Sequence, residues 1–187
     1  MAPGGVGGGV GGGTAFATVG TTSFDALVRA LDSAEAVEAL RARGLGALVL
    51  QIGRGAYLPR RLVPAGGAEE GAAELPGGFR VAYYRFKPNL GADIAGAELV
   101  ISHAGAGTVM ECLRARKRTV VVVNEELMDN HQTELAGALD RMGSLRCTTC
   151  AGLVQVLRDD PLRFTAYPEP DVSAFAKMLD AEVFGHD

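Results

Sequence analysis

Apolar and polar positions follow two different periods along this chain. Residues 15–19, 47–52, 80–84, 98–102 and 119–123 are short, nearly continuous apolar runs of strand length. Residues 145–148 form a weaker run of the same kind. Between the runs the apolar positions recur at helical spacing. Phe24, Leu27, Val28 and Leu31 share one face, with Thr22 or Ser23 as the expected cap. A second helix is expected from Asp32 or Ser33, where Asp32 and Glu35 have capping-box spacing. Val37 and Leu40 would face inward and Gly44 would end it. Further helices are expected at 89–95, 107–115, 130–142 and 152–158. The spacing over 171–184 predicts a final amphipathic helix, with Val172, Phe175, Leu179 and Val183 on one stripe. Residues 59–78, rich in Pro, Gly, Ala and Glu, read as a surface loop. Residues 1–13 contain eight glycines and no charge, which predicts a flexible tail over 1–14.

Strands that alternate with helices, and are apolar on both faces, predict an α/β fold with a Rossmann-like, doubly wound parallel sheet. The expected organisation is one such domain over 15–168, followed by the terminal helix within 169–187. In a sheet of this kind ligands bind beyond the carboxyl ends of the strands.

Composition narrows the function. The 187 residues are 48% hydrophobic and carry 18 basic and 22 acidic side chains, a formal charge of −4. No broad basic face can be assembled from that balance, which argues against nucleic-acid binding. No apolar run approaches the roughly 18 residues of a membrane span, so membrane association is expected to come through a partner. The first 20 residues lack Lys and Arg, and a secretory or transit peptide is not expected. Three cysteines argue against a disulfide framework and for a cytosolic compartment. Cys147 and Cys150 have CxxC spacing, but no second pair completes a zinc site.

The segment 101–111, Ile-Ser-His-Ala-Gly-Ala-Gly-Thr-Val-Met-Glu, carries the most chemistry. A buried strand ends at Ser102, Gly105 and Gly107 allow close backbone approach, and the N–H groups of the helix that follows favour an anion. Thr108 adds a hydroxyl. Glu111, one turn in, leans back toward the helix start and suits a ribose diol. The plain alternative is a tight strand-to-helix turn with Glu111 in solvent. The loop Gly20-Thr21-Thr22 after the first strand can bind a diphosphate or simply cap a helix. In the segment 124–132, Asp129 and Gln132 match a capping box, whereas His131 would face the crevice. His103 could donate to a phosphate or bond backbone carbonyls.

Four segments in order, 16–24, 50–55, 101–111 and 123–132, resemble the catalytic subunit of the eukaryotic UDP-N-acetylglucosamine transferases of dolichol-linked N-glycan precursor synthesis. That family is similar in turn to the C-terminal half of GT-B glycosyltransferases. The resemblance covers residues 15–184. It implies an inverting transfer of the second GlcNAc, in β1,4 linkage, onto GlcNAc-diphosphate-dolichol. It also implies a UDP-GlcNAc donor, no metal or cofactor, and a membrane-anchored partner subunit that supplies the acceptor half and recruits the chain to the cytosolic face of the endoplasmic reticulum. Residue by residue, it implies Glu111 at the ribose and Ala106, Gly107 and Thr108 at the diphosphate. His131 and Gln132 would meet the donor sugar, Phe86 and Lys87 the uracil, and Gly20, Thr21 and Thr22 the cleft. The terminal helix would meet the partner or pack on its own domain. No catalytic base is identified, and His103 is the one candidate. A non-catalytic nucleotide-sugar-binding module is the alternative. A nicotinamide oxidoreductase is disfavoured, because the glycine loop comes late and lacks a third glycine.

Overall fold

The structure, a computed structural model, describes residues 12–125 and 130–167, the first four residues of the second stretch as backbone only. The expected terminal helix and residues 126–129 lie outside the described residues. The elements run β1 (Gly13–Thr18), α1 (Asp25–Leu31), α2 (Ala34–Ala42), β2 (Leu45–Gln51), β3 (Glu70–Leu75), β4 (Phe79–Tyr84), α3 (Gly91–Gly96), β5 (Leu99–His103), α4 (Ala106–Arg114), β6 (Arg118–Val123), α5 (Asn130–Arg141), β7 (Arg146–Thr149) and α6 (Leu153–Asp159). They build one seven-stranded sheet in the order β3-β4-β2-β1-β5-β6-β7.

Six strands are parallel, as their two-sided apolar runs dictate. Alternate residues feed opposite cores. Ala15, Ala17, Ile101, Val120 and Val122 pack with α1, α2 and α6. Phe16, Val100 and Val121 point the other way, toward α3, α4 and α5. Fully buried Leu31, Leu40 and Leu48 anchor the first core. Burying a leucine side chain stabilises by about 1.5–3 kcal/mol.

Four expectations are corrected. The 59–78 segment is not all loop: β3 lies within it and pairs antiparallel with β4. Its Glu, Gly and Ala residues have low strand propensity, and the pairing is imposed by the turn at Pro76-Gly77-Gly78. Both glycines there have positive φ, +80° and +76°, which only glycine adopts without strain. Second, β1 starts at Gly13, inside the segment read as tail, because its ladder partner β2 reaches that far. Third, neither Thr22 nor Ser23 caps α1; its N-cap is Phe24 without a side-chain bond. Fourth, Ser33 alone caps α2, accepting from the Ala36 amide at 3.2 Å.

Asp32 does other work, and it is fully buried. Its carboxylate accepts from the Leu62 amide (2.8 Å), the Arg61 amide (3.1 Å) and the Tyr57 hydroxyl (2.5 Å). It therefore pins the irregular segment after β2 onto the helical layer.

Candidate active-site cleft

β1 and β5 are neighbours at the point where strand order reverses, and the loops that follow them part there. This is where a doubly wound sheet opens a crevice. A cleft of about 330 Å³ lies above it. Its walls are Gly20 and Thr21 after β1, Gln51 at the end of β2, residues 86–90 after β4, and His103 with residues 105–108 after β5. Gly20, Thr21, Phe86, Lys87, His103, Ala106, Gly107 and Thr108, all singled out from sequence, thus converge on one volume.

The loop after β1 is shaped by its own backbone. Gly20 has φ +68°, and its amide donates to Thr18 Oγ1 at 3.0 Å. The Thr22 hydroxyl donates to the Val19 carbonyl at 3.0 Å, so it is engaged locally rather than turned to the cleft. A Cβ on Gly20 or on Gly105 would run into the His103 ring. The two glycines therefore let the imidazole lie in the cleft floor between them.

His103 Nδ1 is buried without a hydrogen-bond partner among the described residues. The Thr18 backbone favours the protonated ring, and burial outweighs it. Burial holds the His103 pKa below its ordinary value, so the ring is neutral at neutral pH.

α4 begins over this floor. Its N-cap, Gly105, contributes no side-chain bond, and the first helical bond runs from the Val109 amide to the Gly105 carbonyl at 3.0 Å. The amides of Ala106, Gly107 and Thr108 consequently have no helical acceptor. They lie at the cleft, and a Cβ on Gly107 would meet nothing within 4 Å. Free amides at a helix start with open space before them suit an anion.

Glu111 is exposed one turn further along. It does not line the cleft itself. Its Oε1 lies 3.6 Å from where a Cβ on Gly91 would sit, with Asn89 Oδ1 3.7 Å from the same point. Glu111 therefore faces the rim that Asn89 and Leu90 form.

Phe86 is 50% exposed at the other wall. Lys87 is tied down: Nζ contacts both Asp93 oxygens at 2.9 Å and sits 4.1 Å above the Tyr84 ring. The Tyr84 hydroxyl donates to Asp93 Oδ2 at 2.6 Å. Burial and that carboxylate push the Tyr84 phenol far above its usual range. The backbone of His131 and Gln132 falls in the first turn of α5, and their side chains lie outside the described residues.

Sequence reasoning passed over Gln51, Asn89 and Leu90 as cleft residues. Gln51 carried a signal, a polar residue closing an otherwise apolar strand. Asn89 and Leu90 were absorbed into an expected helix that starts two residues later, at Gly91. The two CxxC cysteines do not meet in one cluster, since Cys147 packs against one core and Cys150 against the other. Among the described residues no three His, Cys, Asp or Glu side chains group to hold a metal ion.

Comparison with known proteins bears on the family and the fold. The UDP-N-acetylglucosamine transferase subunit ALG13 of Homo sapiens is 41% identical over 151 residues, 78% of this chain, which spans only 12% of that protein's length. ALG13 of Yarrowia lipolytica is 32% identical over 170 residues, covering 89% of this chain and 82% of the relative. The solution structure of ALG13 superposes with a TM-score of 0.63 at 25% identity, covering 90% of this chain and 95% of that one. The glycosyltransferase family 28 C-terminal domain matches residues 14–178. This chain belongs to the glycosyltransferase family 28 C-terminal domain family, on the branch of the UDP-N-acetylglucosamine transferase subunits.

Proposed function

We propose that this chain is the donor-binding catalytic subunit of an inverting UDP-GlcNAc transferase that adds the second GlcNAc, in β1,4 linkage, to GlcNAc-diphosphate-dolichol. The observation that carries the reading is the α4 start: three amides without helical acceptors, above a neutral His103, with Glu111 one turn along. In this reading the diphosphate sits on the amides of Ala106, Gly107 and Thr108, and the ribose hydroxyls donate to Glu111. The uracil lies along Phe86 and Lys87, and the donor sugar points to His131 and Gln132. Gly20 and Thr21 form the opposite lip.

The leaving UDP gains negative charge as the sugar–phosphate bond breaks. Preorganised backbone amides stabilise that charge without moving, which is the most effective form of electrostatic catalysis. No metal is then required. His103 lies half-buried in the cleft floor, placed to contact the diphosphate, and the acceptor hydroxyl that a base would deprotonate is held in the half that the partner supplies. We therefore assign no general base within this chain. The acceptor half comes from a membrane-anchored partner, which would hold this chain at the cytosolic face of the endoplasmic reticulum. No helix of the described residues is long and apolar enough to cross a membrane.

The test is sugar transfer. This chain, co-expressed with a membrane-anchored partner subunit, is assayed for transfer from UDP-GlcNAc to GlcNAc-diphosphate-polyprenol. Transfer that needs both chains and falls with Glu111→Gln supports the reading. A stable complex that binds UDP-GlcNAc but transfers nothing would instead mark a non-catalytic nucleotide-sugar-binding module.

A further inference from the structure

We infer that Gln51 is a positioning residue that sets the distance between the lip loop after β1 and the uracil-facing segment after β4, two walls of the cleft that a bound nucleotide would span. The inference rests on the donor reading above, and it begins from one buried amide. Gln51 closes β2, is 3% exposed, and forms part of the cleft wall. Its Nε2 donates to the Gly20 carbonyl at 2.9 Å and to the Arg85 carbonyl at 2.7 Å. Its Oε1 accepts from the Thr18 hydroxyl at 2.5 Å, and Thr18 Oγ1 in turn accepts from the Gly20 amide. Two carbonyls facing the same nitrogen fix the amide's orientation, since the flipped side chain would set oxygen against oxygen.

Gly20 opens the loop after β1, and Arg85 opens the segment that presents Phe86 and Lys87. Between them runs the turn that opens the segment after β2. That turn is caught in the same network: the Gly53 amide donates to the Arg85 carbonyl at 3.3 Å, and Arg85 Nη1 returns bonds to the Gly53 and Gly55 carbonyls at 2.9 and 2.8 Å. One side chain thus ties three strand ends together beneath the cleft. A ligand that spans both loops gains from their fixed separation, whereas a fragment that touches one loop does not.

The test compares wild type with Gln51→Leu, which keeps the bulk and removes all three bonds, and Thr18→Val, which removes only the hydroxyl link. Amide hydrogen exchange without ligand reads the loops directly. Binding of UDP, uridine and pyrophosphate, followed separately by NMR titration, reads the spacing. In Gln51→Leu, exchange at 20–22 and 85–87 is expected to rise about tenfold and UDP affinity to fall about tenfold, the scale of one or two net hydrogen bonds. Uridine and pyrophosphate affinities stay within about twofold. Thr18→Val shows the same pattern at smaller amplitude. Should Gln51→Leu fail to fold, Thr18→Val decides the matter alone.

Unchanged exchange in both loops overturns the inference, as does equal weakening of UDP and of each fragment, which is what general destabilisation produces. If wild type binds none of the three ligands, the donor reading has failed. Exchange at the two loops then decides separately whether Gln51 holds them.

Discussion

Glu111 and His103 flank the start of α4 and respond to different measurements. Glu111→Gln keeps size and removes the charge that strengthens bonds from a ribose diol. UDP-GlcNAc affinity is expected to fall by about tenfold to a hundredfold, the range for hydrogen bonds to a charged group, read by calorimetry. Equal affinity would remove Glu111 from the site. His103 responds to pH. Burial lowers its folded pKa below the usual 6.5, so the unfolded chain takes up the proton first. Stability is then full above pH 6.5 and is lost as pH falls through that value toward the lower folded pKa. Melting temperatures across this window should fall for wild type and fall less for His103→Gln. Parallel pH curves would show that the ring titrates alike in both states.

At the scale of elements, the irregular connections carry more of the site than the helices do. The turn after β2 fits against the loop after β1. Gly53 has φ +59°, and an added Cβ there would strike the Thr22 carbonyl and come within 2.8 Å of Val19 Cγ2. Gly53→Ala combines a strained backbone with that clash and is expected to cost about 1–3 kcal/mol, checked by chemical denaturation. Asp32 fixes the next stretch. Asp32→Asn replaces one acceptor oxygen with an NH2 group among donors at Tyr57, Arg61 and Leu62. A buried donor without its acceptor costs about 1–3 kcal/mol, so the same experiment should register a loss of that size. Proteolysis within 56–63 should then precede global unfolding.

For the whole molecule, the switch point between β1 and β5 gathers residues more than 80 positions apart into one cleft, from Gly20 to Thr108. The grip on donor is expected to reside in this chain and transfer to require the acceptor half. UDP-GlcNAc should therefore bind the isolated chain, while turnover appears only on addition of the partner subunit. Turnover by the isolated chain would contradict that division.

The sequence by itself determined the parallel strands, because runs such as 119–123 are apolar on both faces and only a doubly covered sheet buries them. It also determined the short turn into α4, because an apolar strand run ends at Ser102 and helical spacing resumes at Gly107, leaving four residues to connect them. Local pattern could not assign β3, whose Glu-Gly-Ala-Ala-Glu-Leu is a poor strand until β4 offers a ladder. It could not separate Asp32 from a cap either, because a carboxylate before a helix reads the same whether it caps or reaches a loop about 30 residues away. Gln51 read as the polar end of a strand. Only the tertiary structure decided its role, because its acceptors at Gly20 and Arg85 lie more than 30 residues away on either side. Periodicity encodes which face of an element is buried, whereas long-range polar pairing depends on which elements the fold makes neighbours.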